Sequence, residues 1–235
     1  MELFWHRRDL RIADNVGLAA AAGRGAVAPV FVFDDVVLAH ASDVRVRRLL
    51  DGLAALRDEY RERGSDLLVA RGDPETVLPA LADDLGADRV VWNRGYSGLA
   101  RERDADVRRA LDEAGVEREA HHDAVHHDPD AIRTNAGDPY SVYTYYWKKW
   151  TDREKDPPAP TPAASDLASA DTLRAAAGVG ARADGGVAAE AVAGRALPPP
   201  RDLGFPEPDS PPGPPRTAAP PGTGAARSKL TCVSP

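Results

Sequence analysis

Cysteine is nearly absent from the sequence. Cys232 is the only one among 235 residues, which excludes an intrachain disulfide framework and any cysteine-built zinc site. Long apolar runs are missing as well. No stretch approaches the ~18 uninterrupted apolar residues of a membrane span, and His6, Arg7, Arg8 and Asp9 interrupt the N-terminus before a signal-peptide core could form. A soluble cytoplasmic protein is expected. Positive charge is in deficit, with 30 bases against 37 acids and a net charge of −7. Strong nonspecific nucleic-acid binding by this chain alone is therefore disfavoured. There is no GxxxxGK[ST] loop to cradle a phosphate, and no nucleophile sits on a strained turn beside a histidine.

Aromatic residues are nearly absent from the last third. Of 14, only Phe205 lies beyond residue 150, whereas 16 of the 21 prolines do. Such a tail buries too little apolar surface to offset an ordering cost of roughly 1–2 kcal/mol per residue. One globular domain over residues 1–150 followed by an extended tail is expected. Arginine outnumbers lysine 26 to 4 and aspartate outnumbers glutamate 26 to 11, a bias that a salt-loving organism and a GC-rich genome produce alike.

Within the first 130 residues, short apolar runs alternate with longer amphipathic ones. Glu2 to Trp5, Ala26 to Phe33, Asp66 to Ala70 and Arg89 to Trp92 read as strands buried on both faces. Ser42 precedes Leu49, Leu50, Leu53 and Leu56 at helical spacing, with Gly64 where a C-terminal cap belongs. Asp73 and Pro74 open a second helix through Val77, Leu78, Leu81 and Leu85 that stops at Gly86. A third runs from Leu99 to Ala114, stops at Gly115 and feeds a fifth strand at Val116 to Ala120. Strict alternation implies a doubly wound α/β fold with a five-stranded parallel sheet. Ligands in such sheets bind at the carboxyl ends of the strands, here Trp5 to Arg8, Phe33 to Asp35, Arg71 to Asp73 and Asn93 to Tyr96. An aromatic helix should end the domain over Pro139 to Trp150, and a weakly helical Ala-rich stretch lies at Ala163 to Ala177. Beyond Asp156 the chain otherwise reads as a Pro/Ala-rich linker with little order of its own.

Several clusters have ordinary explanations. The GxGxxA match at Gly23 to Ala28 precedes a strand, whereas a dinucleotide loop must follow one; a similar match at Gly178 to Ala183 sits in the tail. His121, His122, His126 and His127 invite a metal reading, but adjacent pairs on an extended segment point to opposite faces, which favours a solvated loop. Tyr140, Tyr143, Tyr145, Tyr146, Trp147 and Trp150 could stack bases, yet without a basic groove packing is favoured. The run from Trp5 to Asn15, WHRRDLRIADN, sets four bases and two acids at the carboxyl end of the first strand. It calls for either an ion-pair network or a ligand anchor.

WHRRDLRIADN resembles the opening signature of the DNA photolyase and cryptochrome family. ARGDPETVLPAL at 70–81, VVWN at 90–93 with RERDADVRRAL at 101–111, and GDPYSVYTYYWKKW at 137–150 follow in that family's order and spacing. The family's usual Thr-Pro-Phe is Thr144-Tyr145-Tyr146 here. The resemblance implies a light-harvesting α/β domain holding an antenna pigment, which passes energy to FADH⁻ in a separate helical domain; that flavin splits cyclobutane pyrimidine dimers in DNA. The overall pattern, with Arg45-Val46 and Asp138 to Tyr143, is more similar to deazaflavin-type members, making 8-hydroxy-deazaflavin the first choice. Folate-type relatives carry an Asn-Glu pair where this chain has Leu99-Ala100, which lowers the methenyltetrahydrofolate alternative. Implied pigment contacts are Phe33, Asp34, Arg45, Asn93, Arg94 and Tyr96, with Arg101 and Asp104 on the following helix; for the last two a surface ion pair at i,i+3 is an equal reading.

By the same resemblance, residues 151–220 are the interdomain linker, with Leu203-Gly204-Phe205 late in it. Pro221 to Arg227 open an FAD-binding domain within 221–235. FAD and damaged DNA would be bound only through that domain, and the face that docks it, including part of Tyr143 to Trp150, should be uncovered. The closing SKLTCVSP holds the only cysteine and one of four lysines, a shift that suggests a reading-frame change or truncated gene model, so the chain is expected to be inactive in repair alone. Two other readings stay open: a free-standing nucleotide-binding α/β module, and a cryptochrome-like photoreceptor or regulator.

Overall fold

Residues 1–128, 130–177 and 197–206 are described by the computed structural model. Strands β1 (Glu2–His6), β2 (Val27–Phe33), β3 (Leu68–Arg71), β4 (Arg89–Asn93) and β5 (Glu117–His121) pair in parallel in the order β3-β2-β1-β4-β5. Helices α1 (Val16–Ala22), α2 (Asp35–Leu38), α3 (Asp43–Glu62), α4 (Pro74–Leu85) and α5 (Gly98–Glu113) connect them. The doubly wound five-stranded sheet expected from the strand and helix alternation is therefore present.

Period-two alternation sorts the core into two layers. Leu3 and Trp5 of β1 join Val30, Trp92, Leu78 and Leu81 of α4, and Val107 and Leu111 of α5 on one side. Phe4 packs on the other with Leu18 of α1 and Val46, Leu53, Leu56 and Tyr60 of α3. The chain winds outward from β1 to β3 on the second side, then crosses to β4 and β5 on the first. Loops leaving β1 and β4 consequently diverge, and that switch point opens a crevice above the sheet.

Start and stop signals hold where the side chains can act. Gly86 caps α4 in the left-handed conformation at φ 59°, and Asn15 caps α1 by accepting from the Leu18 N–H at 3.1 Å. Pro29 looks wrong for an interior strand, since proline cannot donate to a ladder. Its position explains it. The Val27 carbonyl, two residues earlier and so on the same edge, accepts from the tail's Ala168 N–H, and β3 pairs with β2 only from Val30 onward.

The tail needs a correction. The segment called a linker with little order of its own takes its order from the sheet at several points. Leu167 bridges to Val27, Ser65 Oγ donates to the Ala168 carbonyl at 2.6 Å, and the Ala170 N–H donates to the Gly64 carbonyl. Leu173 of α7 (Ala170–Ala177) is fully buried in the first layer, and Leu167 and Leu203 are buried in the second. Each buried leucine contributes about 1.5–3 kcal/mol, enough to hold residues that could not fold alone. Composition undercounted them because three well-spaced leucines hardly alter an average.

A second correction concerns α6 (Tyr143–Asp152), which buries no residue. Tyr143, Tyr145 and Trp147 are 64%, 60% and 46% exposed, so the packing reading of these aromatics fails and the uncovered face implied by the resemblance is what is seen. Among the described residues no helix is long and apolar enough to cross a membrane. The Gly178 to Ala183 match, the Pro221 to Arg227 block and SKLTCVSP with Cys232 lie outside the described residues.

Candidate functional site

WHRRDLRIADN builds the floor of the crevice. His6 is fully buried. Its Nδ1 lies 3.1 Å from the Asp9 carbonyl, which can only accept, so Nδ1 carries the proton and Nε2 accepts from the Tyr60 hydroxyl at 2.8 Å. Burial pushes the His6 pKa down and that of Tyr60 well up, keeping the pair neutral. Asp9 accepts from the Arg7 N–H at 3.0 Å and from Asn93 Nδ2 at 2.6 Å. Asn93 Nδ2 also donates to Asn15 Oδ1 at 2.8 Å, and Asn93 Oδ1 accepts from the Gly17 N–H at 3.0 Å. Space is equally committed here, because a Cβ on Gly17 would stand 2.6 Å from Asn93 Oδ1. These bonds tie the ends of β1 and β4 to the start of α1.

Arg7 donates to Asp104 of α5 and to the Asn93 carbonyl. Arg103 of α5 donates to Asp34 Oδ2 at 3.1 Å, while Asp34 Oδ1 caps α2 through the Val36 and Val37 N–H groups. Both guanidinium groups lie over the Trp5 ring, at 4.9 and 5.2 Å from its centroid. On the far wall Arg11 grips Asp123 with two bonds of 2.8 Å, and Asp123 accepts from the Val16 N–H. Tyr96 stacks on His122 with its hydroxyl 2.8 Å from Nδ1. His122 Nε2 lies 3.1 Å from an Arg94 nitrogen and 2.8 Å from Asp128.

Above this floor lies a cleft of about 330 Å³, within the usual range for small-molecule sites. Its walls are Phe31 and Phe33 of β2, Val37 and Leu38 of α2, Leu49 of α3, and Leu99 of α5. The polar groups that face it with capacity to spare are donors. Asp9, Asp34 and Asp123 have their oxygens engaged by the scaffold, whereas Arg103 Nε is buried with no acceptor. Among the described residues that line the cleft, no carboxylate is left without a partner. The arrangement suits holding a flat, apolar molecule that carries hydrogen-bond acceptors.

Of the implied contacts, Phe33, Asp34, Asn93, Arg94 and Tyr96 line the cleft. Asp34 and Asn93 do so with side chains already bonded to the protein. Arg45, Arg101 and Asp104 are not among its lining residues. The Arg101–Asp104 ion pair does not form, because Asp104 is buried and turned to Arg7 while Arg101 is exposed. WHRRDLRIADN thus resolves mainly as a bonded network, with Arg8 left facing the cleft. Sequence reasoning missed Leu49, Val37, Leu38, Arg103 and Asp123. The first three look like ordinary helical core; only the Asp123 carboxylate beside the histidines offered a signal. The histidine cluster disperses: His122 joins Tyr96, while His126 and His127 lie edge-on to Trp150.

Comparison with known proteins agrees with this architecture. The DNA photolyase family profile matches residues 2–164. A deoxyribodipyrimidine photo-lyase of Halobacterium salinarum is 57% identical over 98% of this chain and 45% of its own length. One from Synechococcus is 42% identical over 68% of this chain and 34% of its own. A crystal structure of an archaeal photolyase from Sulfolobus tokodaii, described with two FAD molecules and a novel light-harvesting cofactor, superposes with a TM-score of 0.61. It is 26% identical, over 69% of this chain and 37% of that one. The present chain spans less than half the length of these relatives. On the profile match and the identity across nearly all of its sequence, the chain belongs to the DNA photolyase family.

Proposed function

We propose that this chain is the light-harvesting unit of a blue-light DNA photolyase and that its cleft holds the antenna pigment, with 8-hydroxy-deazaflavin as first choice. The observation that carries this reading is the cleft: it sits at the switch point of the sheet, has aromatic and aliphatic walls, and offers donors, its carboxylates being already paired. A deazaflavin would supply blue-light absorption and energy transfer to FAD. Phe31, Phe33 and Leu49 would cover its ring faces and exclude water, and Arg103 Nε, an orphaned buried donor, would meet one of its oxygen or nitrogen acceptors. Leu99 and Ala100 line the cleft and offer only apolar surface at the place of the Asn-Glu pair of folate-type relatives, which favours the deazaflavin over methenyltetrahydrofolate.

In this reading residues 1–150 are the antenna domain and 151–220 the linker to an FAD-binding domain, through which alone damaged DNA would be engaged. The exposed aromatic face of α6 suits that docking. Purification from the native host followed by acid extraction and mass spectrometry tests it. A deazaflavin should be released in near-stoichiometric amount. Release of a pterin would transfer the site to folate, and a folded protein that yields neither would contradict the proposal.

A further inference from the structure

The arginines divide into two populations. Among the described residues, fourteen make carboxylate ion pairs. Eight do not, and six of these belong to the segments around the cleft mouth: Arg8, Arg45, Arg47, Arg48, Arg94 and Arg101. Arg8 and Arg94 line the cleft directly. Arg45, Arg47 and Arg48 occupy the first two turns of α3, whose Leu49 is a cleft wall, with Arg45 one turn before Leu49 on the same helix face. Arg101 stands in the first turn of α5, next to Leu99 and Ala100. Asp43 and Glu102 lie on the same helical turns and pair with none of them.

Gathering like charges without carboxylate partners disfavours the folded state unless something supplies the counter-charge. The protein's own acids do not, although the chain carries seven more negative than positive charges. The partner also has to come within reach of a buried atom, since Arg103 Nε, on a residue that lines the cleft, is shielded from solvent with no acceptor. A duplex cannot enter a cleft of about 330 Å³; a small molecule can.

We propose that the pigment bound here carries an anionic side chain, a phosphate ester or comparable multiply charged group, and that the mouth arginines recognise it. This rests on the pigment reading above and extends it. The ring would sit between the apolar walls and the charged chain would run out over Arg8 and the start of α3. Guanidinium forks suit this task because they bind phosphate or carboxylate oxygens in pairs.

Riboflavin and FMN share one ring system and differ by a phosphate, so they separate the two claims. Each is titrated onto the full 235-residue protein by quenching of flavin fluorescence, at low salt and at about 1 M salt, where the screening length falls to ~3 Å. FMN should bind at least tenfold more tightly than riboflavin at low salt and lose that advantage at high salt. In the double variant Arg45→Gln/Arg48→Gln, neither residue lining the cleft itself, FMN affinity should fall toward that of riboflavin, with riboflavin binding unchanged. Equal affinities in the natural protein would overturn the anionic-chain proposal and leave the pigment cleft standing, as would an FMN preference untouched by the double variant. Displacement of FMN by a short DNA duplex, dependent on the same two arginines, would reassign the rim to nucleic acid and also overturn it. Failure of either flavin to bind would overturn the pigment reading itself, and this proposal with it.

Discussion

The two ends of the sheet handle charge in opposite ways. At the amino end, the charges around the strand starts have local answers. The terminal amine pairs with Asp88, Arg89 bridges Glu2 and Glu117, and Arg57 and Arg61 both meet Asp66. Leu167 and Ala168 of the tail then close over the start of β2. At the carboxyl end the buried polar groups are also satisfied, by the network joining His6, Asp9, Asn15 and Asn93, but the layer above them is left open and positive. The difference separates stability from binding. Amino-end ion pairs tie elements of the fold together, whereas the mouth arginines make no carboxylate pairs, as the proposed ligand role requires.

Substitutions at each end should behave accordingly. The largest expected effect is at the amino end. Arg57→Met leaves the Asp66 carboxylate buried beside a weaker partner and should cost about 3 kcal/mol, read by urea denaturation, with flavin affinity unchanged at temperatures where the protein stays folded. Next comes the tail. Leu173 is fully buried, and Leu173→Ala should cost about 2–3 kcal/mol and expose the segment after Ser169 to limited proteolysis; an unaltered cleavage pattern would contradict the docking. A smaller effect depends on pH. Because burial holds His6 below its ordinary pKa, the unfolded chain takes up that proton first, so stability present above ~6.5 should decline as pH falls through and below that value. His6→Gln, able to keep both hydrogen bonds, should flatten this acid limb, and an unchanged slope of Tm against pH would show that other groups govern it. Smallest of all, Arg48→Gln should shift stability by less than about 0.5 kcal/mol.

Much of the fold was legible because strand burial on both faces leaves a signal that is local. Val27 to Phe33 and Arg89 to Asn93 announce themselves as apolar runs, and Asp73, Pro74 and Gly86 mark the ends of α4. The cleft was legible in part. The strand-end rule points to Trp5, Arg8, Phe33, Asn93 and Tyr96, all of which line it, but it also points to Arg71 to Asp73, which do not, because β3 is at the sheet edge, away from the switch point. What could not be read was pairing at a distance. Nothing local tells that Asp104 belongs to Arg7, 97 residues away, or that Arg103 reaches Asp34, and those two bonds decide which charges remain free. The tail failed for a related reason, since Leu167 and Leu173 gain their meaning only from the sheet they meet.

The central claim, that the cleft between β1, β2 and β4 is a pigment site, is tested most directly by the absorption spectrum of protein purified from its native host beside that of Leu49→Trp, which fills the cleft. The natural protein should show a blue or near-ultraviolet band beyond its own aromatic absorption, released on denaturation, and the folded Leu49→Trp protein should lack it. A natural protein with no such band, or a band of equal strength in folded Leu49→Trp, would contradict the claim.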